Sequence, residues 1–457
     1  MFNKQKFVAD FNPATGQLIE KIRCATRIEI TAAVKHANKA AKSWPSEPLK
    51  TRIKKILNVI EAFEKQSDTI ARLITDEIGK VYKYSKEEVR DALESARINV
   101  ELAEKATQVE IHQKKNLITE VHRVPVGIIA VITPWNFPFD IPLSLIIPAI
   151  LMGNSVVFKP SEHTPLVGRL IAEVFAEYLP KGVINLLHGG GETGQDLINC
   201  DIDMVAFVGS RDVGKSIMQS ASKNVLKLLM ELGGKDAMII AKDADLEKAS
   251  DFAVRATLFN CGRVCPSVER IYVEHTISLK FERFILDKLK KIRVGNPYDS
   301  VDVGPMINDT HRMRVIRHIE ESVKKGARLI YGGTKPEIPG YYLTPALIID
   351  ATEKHEVMKE ETFGPVIAIQ RVKNIEEAIE KNNKLKYGLG ATIWTKNMKR
   401  AKQIAQMLEV GMIGINCGVA GVPGTPWVGI KQSGFGFYNS IDGIKQFTYP
   451  KKITFLK

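Results

Sequence analysis

The stretch GIIAVITPWNFPFDIPLSLIIPAILMGNSVVFKP, residues 127–160, decides the architecture of this chain. The segment from Val126 to Phe158 is apolar and long enough to cross a bilayer. Pro134, Asn136, Pro138, Asp140, Pro142, Pro148 and Asn154 interrupt it. Proline removes a backbone donor and clashes within a helix, and an aspartate facing lipid is costly. The stretch therefore reads as a buried strand, a loop and a buried helix leading to a further apolar run, and no membrane partner is expected.

Outward from there the same rhythm continues. Apolar runs Gly127–Thr133, Ser155–Lys159, Gly182–Leu187, Met204–Val208 and Val225–Glu231 alternate with helical patterns at Leu143–Leu151, Leu166–Tyr178, Thr193–Ile198 and Val213–Ser222. Such alternation predicts a parallel sheet covered on both faces, with ligands beyond the carboxyl ends of its strands. A second series follows Gly233–Gly234. Its strand-like runs are Ala237–Ala241, Arg270–Val273, Val366–Val372, Ala391–Thr395 and Gly411–Asn416. Its helices are Asp245–Leu258, Ser278–Lys291, Arg312–Lys325 and Asn397–Leu408. Before the first sheet, Thr31–Lys105 is helical, with Ile53, Ile56, Leu57, Ile60 and Phe63 at three and four spacing. Val109–Val124 reads as a polar hairpin, and the tail Gln446–Leu456 as an edge strand at a subunit contact. The fold class is thus α/β, with two doubly wound parallel-sheet domains and a small β arm.

At 457 residues the chain can hold two or three domains. Its net charge of +13 raises nucleic acid, an anionic surface or an anionic ligand as partners. The lysines, however, are spread over helices that also carry glutamate, as in Arg90–Glu104, and no nucleic-acid motif is present, so no nucleic acid is expected. The excess positive charge could still draw in anionic cofactors. Five cysteines, Cys24, Cys200, Cys261, Cys265 and Cys417, are too few and too scattered for a disulfide framework. With no apolar leader in MFNKQKFVAD, a cytoplasmic location is expected.

Four groups of polar residues fall at strand ends or in tight loops. In Thr133-Pro134-Trp135-Asn136-Phe137-Pro138 two prolines stiffen a loop, and Asn136 either caps it or offers its amide to an oxyanion. In Lys159-Pro160-Ser161-Glu162 the lysine and glutamate suit ribose or phosphate, or the segment merely enters a helix. Gly209-Ser210-Arg211-Asp212-Val213-Gly214 opens a helix whose N-terminus could receive a pyrophosphate, without matching the Gly-x-Gly-x-x-Gly spacing. Last come Glu231-Leu232-Gly233-Gly234-Lys235 and Asn260-Cys261-Gly262-Arg263-Val264-Cys265. A thiol nucleophile needs a base or a positive field, because only a few per cent is ionised at neutral pH. Glu231 could be that base, whereas Cys265 could also be a small buried hydrophobe. Cys261 and Cys265 lack a further Cys or His cluster, so no metal is expected.

Taken together and in this order, the motifs resemble the aldehyde dehydrogenase superfamily. The match runs from Asn12-Pro13-Ala14-Thr15-Gly16 to Phe447-Thr448, through TPWNFP at Thr133, ELGGK at Glu231, Gly262-Arg-Val-Cys265 and Glu361-Thr362-Phe363-Gly364-Pro365. The resemblance implies an NAD(P)-binding domain from residues 1–108 and 126–234, a catalytic domain over 235–430, and an oligomerisation arm from 109–125 and 440–457. It implies oxidation of a small-molecule aldehyde to a carboxylic acid through a thioester on Cys265. Asn136 and the Cys265 amide would form the oxyanion hole, and Glu231 would activate water. Thr133, Pro134, Trp135, Lys159, Ser161, Glu162, Gly209, Ser210, Gly214, Leu232, Glu361 and Phe363 would bind the cofactor. Glu162 would repel a 2′-phosphate, which favours NAD while leaving NADP open. The presence of Glu231 favours a free acid over an acyl-coenzyme A product. The family forms dimers or tetramers, so a homo-oligomer is expected.

Some positions depart from the family pattern. Arg263 replaces the usual Gln and could lower the Cys265 pKa, or point away. Val428 replaces a glycine, and Phe437-Tyr438 replace an Arg-Glu pair, which touches the proton relay. Phe259 stands where succinate-semialdehyde enzymes carry a carboxylate-anchoring Arg, which favours an aldehyde without a carboxylate. A succinate-semialdehyde-type enzyme is the alternative, and a cofactor-independent cysteine esterase a more distant one.

Overall fold

The computed structural model describes residues 5–457. The opening stretch of the sequence behaves as read. Ile128–Ile132 is a fully buried strand, and it lies between Met204–Val208 and Ser155–Lys159, parallel to both. The helix that follows, Asp140–Leu151, buries every residue from Ile141 to Leu151. A helix apolar on all sides must be covered on all sides. Here the long helices Leu49–Lys65 and Tyr82–Ala106 pack over it. Its C-terminal carbonyls are capped from a distance: the Trp44 indole donates to Ile150 O and the Arg52 guanidinium to Leu151 O, each at 2.9 Å.

The first sheet runs Gly434–Phe435, Lys227–Glu231, Met204–Val208, Ile128–Ile132, Ser155–Lys159, Ile184–Leu186. All are parallel except the short first strand, which returns from the far end of the chain and pairs antiparallel with Lys227–Glu231. The second sheet runs Arg328–Tyr331, Ala346–Ile349, Val366–Val372, Val268–Glu274, Asp236–Ile240, Gly390–Trp394, Met412–Ile415, with only Arg328–Tyr331 antiparallel. The α/β class with two parallel sheets stands. The helical N-terminal region resolves into Arg27–Ser43, Leu49–Lys65, Ser67–Ile78 and Tyr82–Ala106. Among the elements with no counterpart in the sequence reading are the hairpin Phe7–Phe11/Leu18–Arg23, the edge strand Arg328–Tyr331 with its neighbour Ala346–Ile349, and the helix Ile375–Asn383.

The predicted hairpin forms as Glu110–Lys114 and Leu117–Pro125. The tail strand Thr448–Leu456 pairs along the whole of Leu117–Pro125, giving a separate three-stranded antiparallel sheet. Among the described residues no helix is long and apolar enough to cross a membrane.

Candidate active site

Four loops leave the carboxyl ends of first-sheet strands on one side: Thr133–Pro138 after Ile128–Ile132, the Lys159 turn after Ser155–Lys159, Gly209–Ser210 after Met204–Val208, and Leu232–Gly234 after Lys227–Glu231. The second sheet answers from the amino ends of its strands. Cys265 lies just before Val268–Glu274, and Glu361 and Phe363 just before Val366–Val372.

The loop leading to Cys265 owes its shape to three consecutive left-handed residues, Asn260 (φ 49°), Cys261 (φ 57°) and Gly262 (φ 72°). That conformation strains a residue bearing a Cβ by about 1–2 kcal/mol, so the surroundings must hold it. At Gly262 a Cβ would lie 2.2 Å from the Gly364 carbonyl, so the close approach of the Glu361–Pro365 segment requires glycine there.

Arg263 supplies much of the holding. It is fully buried, and its guanidinium donates to Asn260 O (2.8 Å), Ile78 O (2.8 Å) and Asn260 Oδ1 (2.9 Å). It therefore points away from the thiol, as one of the two sequence readings had it, and does not activate it. Burial, then the charges of Glu231 and Glu361, push the Cys265 thiol well above its ordinary value. Cys265 thus holds its proton more tightly than an ordinary thiol.

Around that loop Asn136 is pinned from both sides. Its carbonyl accepts from Lys80 Nζ and from Asn260 Nδ2, both at 2.9 Å. Its side-chain amide donates to Arg263 O at 3.1 Å, which leaves the second amide hydrogen available, and its Oδ1 is buried without a partner. Lys80 and Glu88 form a fully buried ion pair, and Glu88 accepts from the Phe139 amide (3.1 Å) and the Asp140 amide (3.3 Å). The TPWNFP loop thus rests on a buried charged frame.

Glu231 Oε2 lies 3.7 Å from Cys265 Sγ, and Glu231 Oε1 is buried with no partner. Burial pushes the Glu231 carboxyl up to about 7, against the pull of the Cys265 thiol and the Gly233 amide. Glu361 Oε1 accepts from the Gly234 amide at 3.0 Å. Burial, then the charge of Glu269, pushes Glu361 up to about 8. A Cβ at Gly233 would meet Glu361 Oε1 at 2.4 Å, so the first glycine of ELGGK makes room for this carboxylate. Lys235 is buried beneath, bridging Glu269 and Thr362 Oγ1 (3.1 Å), while Glu269 accepts from the Thr362 and Phe363 amides at 2.8 and 2.9 Å.

Two cavities meet at Cys265. One, of about 550 Å³, is bounded by Pro134, Trp135, Asn136, Gly209, Ser210, Glu231, Glu361 and Phe363 among others. The other, of about 1310 Å³, opens on the opposite side past Phe137, Asp140, Trp427 and Tyr438. The first also exposes His311 and Arg314, which the sequence reading passed over. His311 donates from Nε2 to Phe363 O (3.2 Å), burial holds its ring neutral down to about 4, and Arg314 donates to Glu361 O at 2.8 Å. Helical spacing was the only signal their segment carried.

Not every expected cofactor residue borders this cavity. Thr133, Lys159, Ser161, Glu162, Gly214 and Leu232 do not. Ser161 Oγ accepts from the His163 amide, 3.2 Å, in its own turn. A Cβ at Gly214 would fall 2.3 Å from Leu232 Cδ2, so that glycine seats the leucine. Lys159 Nζ donates to Pro160 O at 2.9 Å and stands 3.8 Å from Glu162. Cys261 packs on Met306, and no group of three or more potential metal ligands exists among the described residues.

A protonated thiol faced by a carboxylate, with separate chambers on either side, is the arrangement of a covalent thiol enzyme built across two α/β sheets. The chain belongs to the aldehyde dehydrogenase family: the model described as "Aldehyde dehydrogenase family" matches residues 2–453. It is accordingly an oxidoreductase that oxidises aldehydes. It is 34% identical over 450 residues to "Aldehyde dehydrogenase, mitochondrial" of Leishmania tarentolae, covering 97% of this chain and 90% of the relative. It is 33% identical to "Betaine aldehyde dehydrogenase" of Bacillus subtilis (strain 168), covering 98% and 94%. Betaine aldehyde dehydrogenase from Staphylococcus aureus, solved in complex with NAD+, superposes with a TM-score of 0.95 at 32% identity, covering 98% of this chain and 92% of that one.

Proposed function

We propose that the protein converts an aldehyde to its carboxylic acid with NAD through a thioester on Cys265. The observation that carries this reading is the place of Cys265 at the junction of two cavities, 3.7 Å from Glu231. The smaller cavity suits a nicotinamide riboside. Glu361 presents a carboxylate for ribose hydroxyls, and Phe363 and Pro134 supply flat apolar walls. The helix Arg211–Ala221, capped by Ser210, turns its N-terminus to the same side, where a pyrophosphate is favoured. Lys159 and Glu162 would hold the adenine ribose farther out, and Glu162 disfavours a 2′-phosphate, so NAD is preferred over NADP.

The nicotinamide, when bound, supplies the hydride acceptor. The Cys265 thiol gives its proton towards the Glu231 carboxylate, and the sulfur attacks the aldehyde carbon. The oxygen that becomes negative is received by the free hydrogen of the Asn136 amide and by the Cys265 N–H. Loss of hydride leaves the acyl group on sulfur. Glu231, having passed that proton to solvent, takes a proton from water, whose oxygen attacks the thioester, and returns it to the leaving sulfur, releasing the acid and the thiol. Arg263, Asn260 and Lys80 fix Asn136 and the nucleophile loop in register throughout.

A few wall residues set which aldehyde enters. The aldehyde cavity has no Lys, Arg or His among its lining residues, which leaves a carboxylate-bearing aldehyde without an anchor. The test is NADH formation with purified protein and an aldehyde panel, beside Cys265→Ala. Reduction that vanishes in Cys265→Ala supports the reading; reduction that survives it removes Cys265 from the chemistry.

A further inference from the structure

The larger cavity at Cys265 has walls of one electrical sign. Its charged lining residues are Asp91, Glu94 and Asp140. This runs against a chain whose net charge is +13. Two neighbouring cations are already engaged. Arg90 pairs with Asp91 at the surface at 2.8 Å, and Lys80 is buried in its ion pair with Glu88. Neither Glu94 nor Asp140 makes an ion pair among the described residues, whose salt bridges lie elsewhere.

The depth of the groups is graded. Asp91 and Glu94 are exposed and mark the mouth, Asp140 is half-buried, and Asn99 lies deep in the wall, 2% exposed. Asn439 Oδ1 in the same wall is buried without a partner. Polar groups left so in a protein interior cost free energy unless something else satisfies them. The indole of Trp427 forms another part of the wall, stacked at 26° on Tyr438. An aromatic face attracts a cation and offers nothing to an anion.

Resting on the aldehyde dehydrogenase reading above, we infer that this cavity selects a cationic aldehyde, one whose far end carries an ammonium or quaternary ammonium group received between Asp140, Glu94 and Trp427. The reaction sequence then requires an upstream step that makes an aldehyde from an amine or an amino alcohol, and a downstream step that takes a zwitterionic amino acid or betaine. The behaviour of Asp140 agrees. Burial, then the charge of Glu88, pushes its carboxyl up to about 7, and Lys80 only partly offsets this. A cation in the cavity would supply the missing counter-charge.

The experiment compares trimethylammonio-butanal with its neutral tert-butyl isostere and with succinate semialdehyde, all with NAD. The expected result is a kcat/KM for the cation at least about tenfold above the isostere, with the carboxylate lowest. In Asp140→Asn and in Glu94→Gln the ratio of cation to isostere falls. Glu94 is exposed, so its variant reports even where Asp140→Asn does not fold. Equal kcat/KM for cation and isostere, or a ratio unmoved in both variants, overturns the inference while leaving the dehydrogenase reading intact. Absence of NADH with every aldehyde strikes at that reading instead. In that case protection of Cys265 from iodoacetamide by the trimethylammonio alcohol, but not by its neutral isostere, still supports cation selection, and equal or no protection overturns it.

Discussion

In the proposed mechanism Asn136 and Glu231 divide the work at Cys265 between charge stabilisation and proton transfer, and each division has its own measurable signature. Removing one preorganised oxyanion donor from a dry site costs about 10²–10³ in turnover. Asn136→Ala should lose that much kcat with a folded protein, and near-normal turnover would take Asn136 out of the chemistry. Glu231 acts as a base only as the carboxylate. Its pKa is raised to about 7, so the active form is depleted below that pH and restored above it. The steady-state rate should therefore rise about tenfold from pH 6 to pH 8 along a single ionisation. In Glu231→Gln that limb should disappear, and an acyl-enzyme should accumulate in the mass spectrum of the protein. A pH profile in the variant that still rises through 7 would assign the ionisation to another group. These residues were legible because each sits in a compact motif, TPWNFP, ELGGK or the Cys265 loop. His311 and Arg314 were not. They reach the cavity from the helix Asp309–Lys324, and their partners Phe363 and Glu361 are 52 and 47 residues away in the chain.

Elements, rather than single side chains, explain why Arg263 stands where relatives usually have Gln. Its guanidinium spans three acceptors: the carbonyl ending the helix Ser67–Ile78, and both oxygens of Asn260 in the left-handed turn. A planar fork suits that task, and neither an amide nor an ammonium can reach all three. Arg263→Gln should strand at least one buried acceptor and lower stability by about 1–3 kcal/mol, read as a shift of the urea midpoint at constant m-value. An unmoved midpoint would mean that the turn holds itself. The sequence left Arg263 open between activating the thiol and pointing away, and only the long-range contact with Ile78 decides. Similar reasoning covers Lys80 and Glu88. Lys80 lies between the helices Ser67–Ile78 and Tyr82–Ala106, and Glu88 on the second of them; both are buried and frame the Asn136 loop through contacts distant in sequence. The strands Arg328–Tyr331 and Ala346–Ile349 escaped for a local reason: each is four residues long and flanked by Gly or Pro, too short for a period to show. The parallel strands of the first sheet were plain, because burial on both faces demands unbroken apolar runs.

On the scale of the whole molecule, two large apolar cores lie under the two sheets, and the three-stranded arm belongs to neither. Register explains what the arm is for. Tyr449 pairs with Val124, Ile453 with Glu120 and Phe455 with Ile118, while Ile111 pairs with Glu120 from the other side. All of these side chains share one face of the sheet, since alternate residues of a strand point the same way. Ile111 is 66% exposed there, and Tyr449, Ile453 and Phe455 are each more than 40% exposed. A thin antiparallel sheet gains little stability until an apolar face is covered, and contiguous exposed apolar surface marks a contact. We propose that a second copy of the chain covers this face, so that the protein is a dimer or a dimer of dimers. Light scattering on the purified protein should then give twice or four times the 50.9 kDa chain mass. Ile453→Lys combined with Phe455→Lys should shift the mass towards the monomer. The far-ultraviolet circular dichroism should be unchanged, because both side chains face solvent within the protomer. A double variant with the wild-type mass would show that the arm is not the contact. A wild type already monomeric would remove the proposal altogether.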